Sequence, residues 1–304
     1  MYEKTWKQHK GVILDSINGF DVIDCKTCGF KHIVPIPSQE ELEKIYKSEY
    51  YTKEKPLYID RAEEDIEWWD LVYSERYDFF EKILGKEKNK ILDIGSGPGY
   101  FLLHGKKRGW KTKGIEPSYK AASYSKSLGL DIIEGFFDNK IVEQLDKFNV
   151  IHMSEVLEHV PNPKELLNLA FSLLEHNGIL CISVPNDYNP FQKALVEVCN
   201  FNPWWIAPPH HINYFDFDSL ENLLKKCGFK VILRDTSFPI DIFLLMGINY
   251  VGNDIKGRQC HIRRMNFEKT LYKAGLNDLK RRLYSCFANI GIGRHVVLYS
   301  QKIS

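Results

Sequence analysis

Residues 91–102 read Ile-Leu-Asp-Ile-Gly-Ser-Gly-Pro-Gly-Tyr-Phe-Leu: an apolar run, then glycine at every second position, then an apolar restart. Glycine reaches positive φ at no steric cost and lets a ligand approach the main chain. The helix start behind such a turn offers backbone N–H groups without intrahelical partners. Gly95, Gly97 and Gly99 give a G-x-G-x-G spacing. That differs from the G-x-G-x-x-G that aims a helix N-terminus at a pyrophosphate. Asp93 stands ahead of the turn, and an acid there suits a ligand carrying positive charge. S-adenosylmethionine, with a sulfonium and an α-ammonium, is such a ligand. Glu116 closes the next apolar run, in Gly114-Ile115-Glu116-Pro117. A carboxylate at that strand end can accept from both ribose hydroxyls. Alone it fits NAD equally well, and its plainer reading is an exposed strand-end acid.

Asp93–Gly99 with Glu116 resembles motifs I and II of the class I S-adenosylmethionine-dependent methyltransferases. Phe148–His159 with Pro161, then Gly178–Asn186, resemble the later motifs of that family. His211–Phe215, Ser219-Leu220 and Cys227-Gly228-Phe229 continue the likeness. It runs from about Lys90 to Leu233 and resumes at Gly293-Arg294. It is specific for the family and not for a substrate. The resemblance implies that Asp93, Gly95, Gly97 and Gly99 line the methionine part of the cofactor and that Glu116 holds the ribose. Relatives carry an acid for adenine after the third strand. Here Gly135-Phe136-Phe137 stands in that place, so Phe136 or Phe137 is expected to stack on adenine, with Asp138 the weaker candidate. Ser154 and Glu155, after the fourth strand, are expected near the transferred methyl. Tyr50-Tyr51 would fold over the cofactor. Tyr73 and Arg76 could reach its carboxylate, although an ordinary amphipathic helix explains them better.

Methyl transfer is an in-line displacement, so holding the acceptor aligned supplies much of the acceleration. A hydroxyl acceptor also needs a base, and histidine is the natural one near neutral pH. His159 falls after the fourth strand, at the carboxyl rim where open α/β sheets bind ligands; a structural role explains it at least as well. His210 and His211 sit in Pro208-Pro209-His210-His211, in the loop region after the fifth strand, where substrate contacts concentrate. His211 is the expected base. Similar sugar C-methyltransferases carry Tyr-x-Glu-His in this place. The Tyr and Glu are missing here, which favours an oxygen acceptor over a carbanion. Phe191, Phe201, Trp204, Trp205, Tyr214 and Phe215 could stack on a sugar or ring, or simply pack a cap. The expected partner is a small-molecule acceptor: a sugar, a nucleotide-sugar or a related metabolite of surface-polysaccharide synthesis. Two other readings stand beside this one. One is a catalytically silent cofactor-binding partner subunit. The other is a nicotinamide-dependent dehydrogenase, against which the glycine spacing argues.

Cys25-Lys26-Thr27-Cys28-Gly29-Phe30 resembles half of a zinc ribbon, and the segment onward is similar to the N-terminus of sugar-modifying methyltransferases. Those usually carry an earlier Cys-x-x-Cys, which is missing here. Two cysteines fall short of a four-ligand site. His9 and His32 are the only nearby additions, and no metal is expected.

The elements that must position these residues follow from periodicity. A helix over Ala62–Leu84 shows Ile66, Trp69, Tyr73, Tyr77, Phe80 and Leu84 on one face. From Lys90, short apolar runs alternate with helical segments up to Val184, which reads as repeated βα units. The expected fold is α/β: a Rossmann-like, mostly parallel seven-stranded sheet with helices on both faces. A small irregular N-terminal unit (1–55), with a strand at Asp21–Cys25, would precede the methyltransferase domain (56–304). A helical insertion at about 235–294, with helices over Ile240–Tyr250 and Phe267–Phe287, would come before the last strand, His295–Ser300.

Composition sets the outer bounds. The 304 residues are 44% hydrophobic and 27% charged, a globular balance. Net charge is +1, from 41 basic and 40 acidic residues, without the basic footprint of a nucleic-acid binder. Met1–Gly11 lacks the apolar stretch of a signal peptide, and Ile240–Gly252 is too short to span a bilayer. Seven cysteines, mostly scattered singly, read as reduced thiols. A cytoplasmic location without a membrane span is expected.

Overall fold

A computed structural model describes residues 2–44, 57–85 and 89–303. Tyr50 and Tyr51 lie outside the described residues. The chain groups into two compact units: residues 1–36, 183–223 and 233–298 in the first, and 37–182, 224–232 and 299–304 in the second.

The first unit opens on four strands, β1 (Glu3–Trp6), β2 (His9–Ile17), β3 (Phe20–Cys25) and β4 (Phe30–Val34), paired antiparallel in sequence order. The expectation of an irregular segment is therefore corrected to a β-meander. Its turns explain it. Asn18 (φ 51°) and Gly19 (φ 82°) make a two-residue link of the kind that matches strand twist. Gly29 (φ 81°) donates its N–H to the Cys25 carbonyl at 2.8 Å and closes the next link.

The second unit carries α1 (Gln39–Lys44), α2 (Tyr58–Glu64) and α3 (Ile66–Leu84). The single helix expected over Ala62–Leu84 is two, parted at Asp65, where the backbone leaves helical geometry (φ −97°, ψ 10°). Next come β5 (Lys90–Ile94), α4 (Tyr100–Lys107), β6 (Lys111–Glu116), α5 (Tyr119–Ser127), β7 (Ile132–Glu134), α6 (Asn139–Val142), β8 (Phe148–Ser154) and α7 (Pro163–Leu173). Strand β5 is almost wholly buried and pairs parallel with β6 and β8, as β6 does with β7. Such two-sided burial is why the strands read as continuous apolar runs. Asn162 and Pro163 start α7 with a side-chain cap on Glu165 N and proline in the first turn.

The remaining elements are β9 (Leu174–Pro185), α8 (Pro190–Glu197), β10 (Asn213–Tyr214), α9 (Phe217–Lys226), β11 (Phe229–Asp235), α10 (Ile242–Leu245), α11 (Asp254–Lys273), α12 (Asn277–Asn289) and β12 (His295–Lys302). The main sheet has seven strands in the order β11-β12-β9-β8-β5-β6-β7, the Rossmann-like arrangement expected. The smaller sheet is β1-β2-β3-β4-β10, so the N-terminal meander takes a fifth strand from residues 213–214.

Between β11 and β12 lie three helices. The helix expected over Ile240–Tyr250 shrinks to one turn, ended near Gly247 (φ 83°). The one expected over Phe267–Phe287 is two, broken at Gly275 (φ 71°), where glycine takes the left-handed stop. Among the described residues no helix is long and apolar enough to cross a membrane.

Candidate active site

In the second unit the loops after β5, β6, β7 and β8 all leave the carboxyl end of the parallel sheet, where open α/β folds bind ligands. The glycine turn after β5 is drawn toward β6, because Gly95 N and Ser96 N both donate to Ile115 O (2.8 and 3.1 Å). Gly95, Gly97 and Gly99 have φ of 72°, 52° and 80°. At Gly99 a Cβ would come within 2.5 Å of Leu130 and 2.8 Å of Ser125 Oγ, so both backbone and packing demand glycine.

Glu116 is the hinge of this arrangement. Its Oε2 accepts from Gly97 N and its Oε1 from Ser118 N, each at 2.8 Å. The residue is only 4% exposed. Burial pushes its carboxyl up to about 7 against the pull of those two N–H groups, with the nearby Asp93 charge adding a little. The expected strand-end acid is thus a buried latch between the glycine turn and the start of α5. Each oxygen uses one lone pair on the protein and has a second for another donor.

Asp93 is buried as well, and His152 donates Nδ1–H to its Oδ1 at 2.6 Å. Arg76 donates to His152 Nε2, which fixes that tautomer. Burial holds the imidazole below its ordinary value despite the Asp93 charge, so a neutral ring stands between a carboxylate and a guanidinium. Phe101 stacks on that ring, with centroids 3.9 Å apart. Sequence reading placed Asp93 directly on the methionine part of the cofactor. In the structure one of its oxygens is committed to His152. His152 went unnoticed because a histidine inside an apolar strand reads as core. Its register partner Asp93 is the signal that pairing of β5 with β8 supplies.

The other expected cofactor residues gather at the same rim. Gly135 N donates to Glu116 O at 3.0 Å, so Phe136 and Phe137 depart beside the latch, both partly exposed. Asp138 caps α6 through Ile141 N (2.9 Å), which occupies it locally. Ser154 ends β8 one residue beyond the Ile94–Met153 pair. Glu155 has φ 56°, and Val156 reaches the space a Cβ on Gly95 would fill (2.5 Å). His159 ends a short 3-10 turn after β8, with its Nε2 3.7 Å from Glu158 Oε1.

His210 and His211 belong to the first unit, in the turn that leads into β10. Tyr214 staples that turn: its hydroxyl accepts from Ala207 N (3.3 Å) and donates to His211 O (3.1 Å). Of the six expected aromatics, Phe201, Trp204 and Trp205 touch one another in succession, joined by Tyr188. Trp205 meets Tyr188 edge-on at 5.3 Å and Trp204 at 5.0 Å, and Trp204 meets Phe201 at 5.5 Å. Sequence reading missed the polar run Asn186–Asn189 in this unit, in which all but Tyr188 are buried. Tyr188 donates to Asp15 Oδ2 at 2.8 Å, Asn189 caps α8 and donates to Asp241 Oδ2 at 3.2 Å, and burial pushes Asp187 up to about 7.

Residues 67–233, more than half of the chain, match the family model described as a methyltransferase domain. The chain belongs to the methyltransferase-domain family. S-adenosylmethionine is the cofactor of this methyltransferase domain. The glycine turn, held at positive φ with a buried carboxylate one strand over, fits that group. The chain is similar to the ubiquinone biosynthesis O-methyltransferase of Actinobacillus pleuropneumoniae serotype 7 (strain AP76). The two are 32% identical over 139 residues, 39% of this chain and 59% of the relative. It is also similar to C-methyltransferase NovU of Streptomyces niveus, 23% identical over 156 residues, 50% of this chain and 35% of that one. The chain therefore spans less than two thirds of the length of these curated relatives. Magnesium protoporphyrin IX methyltransferase from Synechocystis PCC 6803, a structure with SAH bound, superposes with a TM-score of 0.52 at 11% identity, covering 87% of this chain and 100% of that one. That likeness speaks for the fold.

Proposed function

We propose that this methyltransferase moves a methyl group from S-adenosylmethionine to a hydroxyl oxygen of a small molecule. The acceptor class is a sugar, a nucleotide-sugar or a related surface-polysaccharide metabolite, met in the cytoplasm. One observation carries the reading: the buried Glu116 carboxylate that latches Gly97 N and Ser118 N beside the glycine turn. In this reading Glu116 accepts from the ribose hydroxyls. Gly95, Gly97 and Gly99 give the methionyl half its backbone cradle. Asp93 acts through His152 to hold Arg76, and Phe136 or Phe137 covers the adenine. Ser154 and Glu155 stand by the transferred methyl.

When bound, the cofactor supplies an electrophilic methyl on a sulfonium. The acceptor hydroxyl gives its proton to a base as its oxygen forms the new C–O bond, and the C–S bond breaks to leave a neutral thioether. His211 is that base, with His210 and His159 the other candidates. Imidazole is the side chain most often used for this proton transfer. An oxygen acceptor is supported by Pro208-Pro209-His210-His211, which lacks the Tyr and Glu of similar sugar C-methyltransferases. The sugar is supported by that resemblance and by the partly exposed rings of Phe201, Trp204 and Trp205 in the same unit. A net charge of +1 supports an acceptor other than nucleic acid.

The test has two stages. Calorimetry with S-adenosylmethionine and S-adenosylhomocysteine should show one site per chain. Label from methyl-labelled cofactor should then pass into a panel of sugars and nucleotide-sugars. Tight binding with no transfer to any of them, or to a crude metabolite extract, would identify a silent cofactor-binding subunit instead.

A further inference from the structure

The structure places four metal-type donors around one point in the N-terminal meander. His9 opens β2, Cys25 ends β3, Cys28 lies in the turn that follows, and His32 sits on β4. One ligand atom from each lies within 4.8 Å of every other. His9 Nδ1 stands 3.3 Å from Cys28 Sγ and 3.8 Å from Cys25 Sγ. A tetrahedral zinc ion with bonds of about 2.0–2.3 Å needs its ligands roughly 3.3–3.8 Å apart. The two rings cross nearly at right angles, 4.7 Å between centroids, so their nitrogens converge instead of stacking.

His32 speaks most directly for an ion. It is 1% exposed, and its Nδ1–H donates to the Ile33 carbonyl at 2.9 Å. That fixes Nε2 as the lone-pair nitrogen, and Nε2 is buried with no hydrogen-bond partner. A ring whose far nitrogen is tied to a backbone carbonyl while the near one faces other donors is the usual arrangement of a metal-bound histidine. The surrounding backbone is already tied. Thr27 Oγ1 donates to Gln8 O at 2.9 Å, Lys26 N to Lys10 O at 2.9 Å and Gly29 N to Cys25 O at 2.8 Å, which together hold the cysteine turn against the start of β2. Two thiolates would balance a dication, leaving the buried cluster neutral.

We propose that His9, Cys25, Cys28 and His32 bind a single structural zinc ion. This reverses the sequence expectation of no metal, which counted two cysteines and could not see that the meander brings two histidines to them. Four protein donors fill a tetrahedral shell, so the ion has no open position for catalysis. Its reach extends along β4. His32 is the register partner of Asn213 on β10, and Ile33 N donates to Ile212 O at 2.9 Å. The zinc thus anchors the strand against which the turn carrying His210 and His211 is held. This last consequence rests on the proposed role of His211; the metal assignment does not.

Elemental analysis of untagged full-length protein, purified without chelator, tests the assignment. About one zinc per chain is expected, with loss of more than nine tenths of it in Cys28→Ser and in His32→Gln. Cys199→Ser, at an exposed thiol, should keep it. Should those variants fail to fold, the wild-type chain still decides. Thiol modification should release one zinc to a colorimetric indicator, and cobalt exchanged into the site should show the visible absorption of tetrahedral thiolate coordination. Wild-type protein from zinc-supplemented cells with neither stoichiometric metal nor a cobalt spectrum would overturn the site. With zinc removed, S-adenosylhomocysteine affinity should change less than twofold while methyl transfer falls at least tenfold. Unchanged transfer would overturn the anchoring of the His211 turn and leave the metal standing.

Discussion

Glu116 is where a single protonation state can be read in a binding curve. Its burial and its two backbone donors pull in opposite directions, and burial wins, raising the carboxyl to about 7. Ribose hydroxyls donate to the ionised form, so cofactor affinity should fall as pH drops through 7. We expect S-adenosylhomocysteine to bind about tenfold more weakly at pH 6 than at pH 8, one proton being linked to binding. A flat titration across that window would separate Glu116 from the ribose. Glu116→Gln turns one acceptor into an NH2 facing the N–H of Gly97 or Ser118. The expected cost is about 10–100-fold in affinity by calorimetry, roughly 1.4–2.8 kcal/mol. His211 makes a different kind of claim. His211→Ala should lower turnover by about 10²–10⁴-fold while cofactor affinity holds, and His210→Ala should cost far less. Equal losses in the two variants would deny His211 its role.

At the scale of elements, the packing of α3 on α4 underlies the Asp93–His152–Arg76 chain. Tyr77 is fully buried, stacks on Phe101 at 4.9 Å and donates to its carbonyl at 3.2 Å. It lies so close to Gly105 that a Cβ there would sit 2.1 Å from the Tyr77 hydroxyl. Phe101 in turn stacks on His152. Tyr77→Ala should therefore cost about 3–5 kcal/mol in urea unfolding, with cofactor affinity falling as His152 loosens. A cost below about 1 kcal/mol would mean that α3 and α4 repack freely. Local signals fixed most of these elements: apolar runs for β5, β6 and β8, and Asn162-Pro163 for α7. Others were legible but overlooked, above all Asn18-Gly19, which marks the β2–β3 hairpin. The breaks at Asp65 and Gly275 went unread because an apolar face continues across each of them.

For the molecule as a whole, ligand linkage is the direct measure. S-adenosylhomocysteine at about one hundred times its dissociation constant should stabilise the folded chain by about 2.7 kcal/mol and raise its melting temperature by several degrees. NAD should leave it unchanged. A shift with NAD and none with S-adenosylhomocysteine would return the glycine turn to the dehydrogenase reading.

The sequence by itself determined the order of βα units, the glycine turn and the acid one strand later, because strand burial, left-handed turns and helix starts are local demands that each residue type answers on its own. Only the tertiary structure decided that Glu116 latches the turn, that Asp93 speaks to His152, and that residues 213–214 complete the N-terminal sheet. The last pairing joins positions some 180 residues apart through backbone hydrogen bonds, and such bonds leave no mark on side-chain identity. The convergence of His9 and His32 on Cys25 and Cys28 was hidden for a related reason: strand register, and not spacing along the chain, sets which side chains meet.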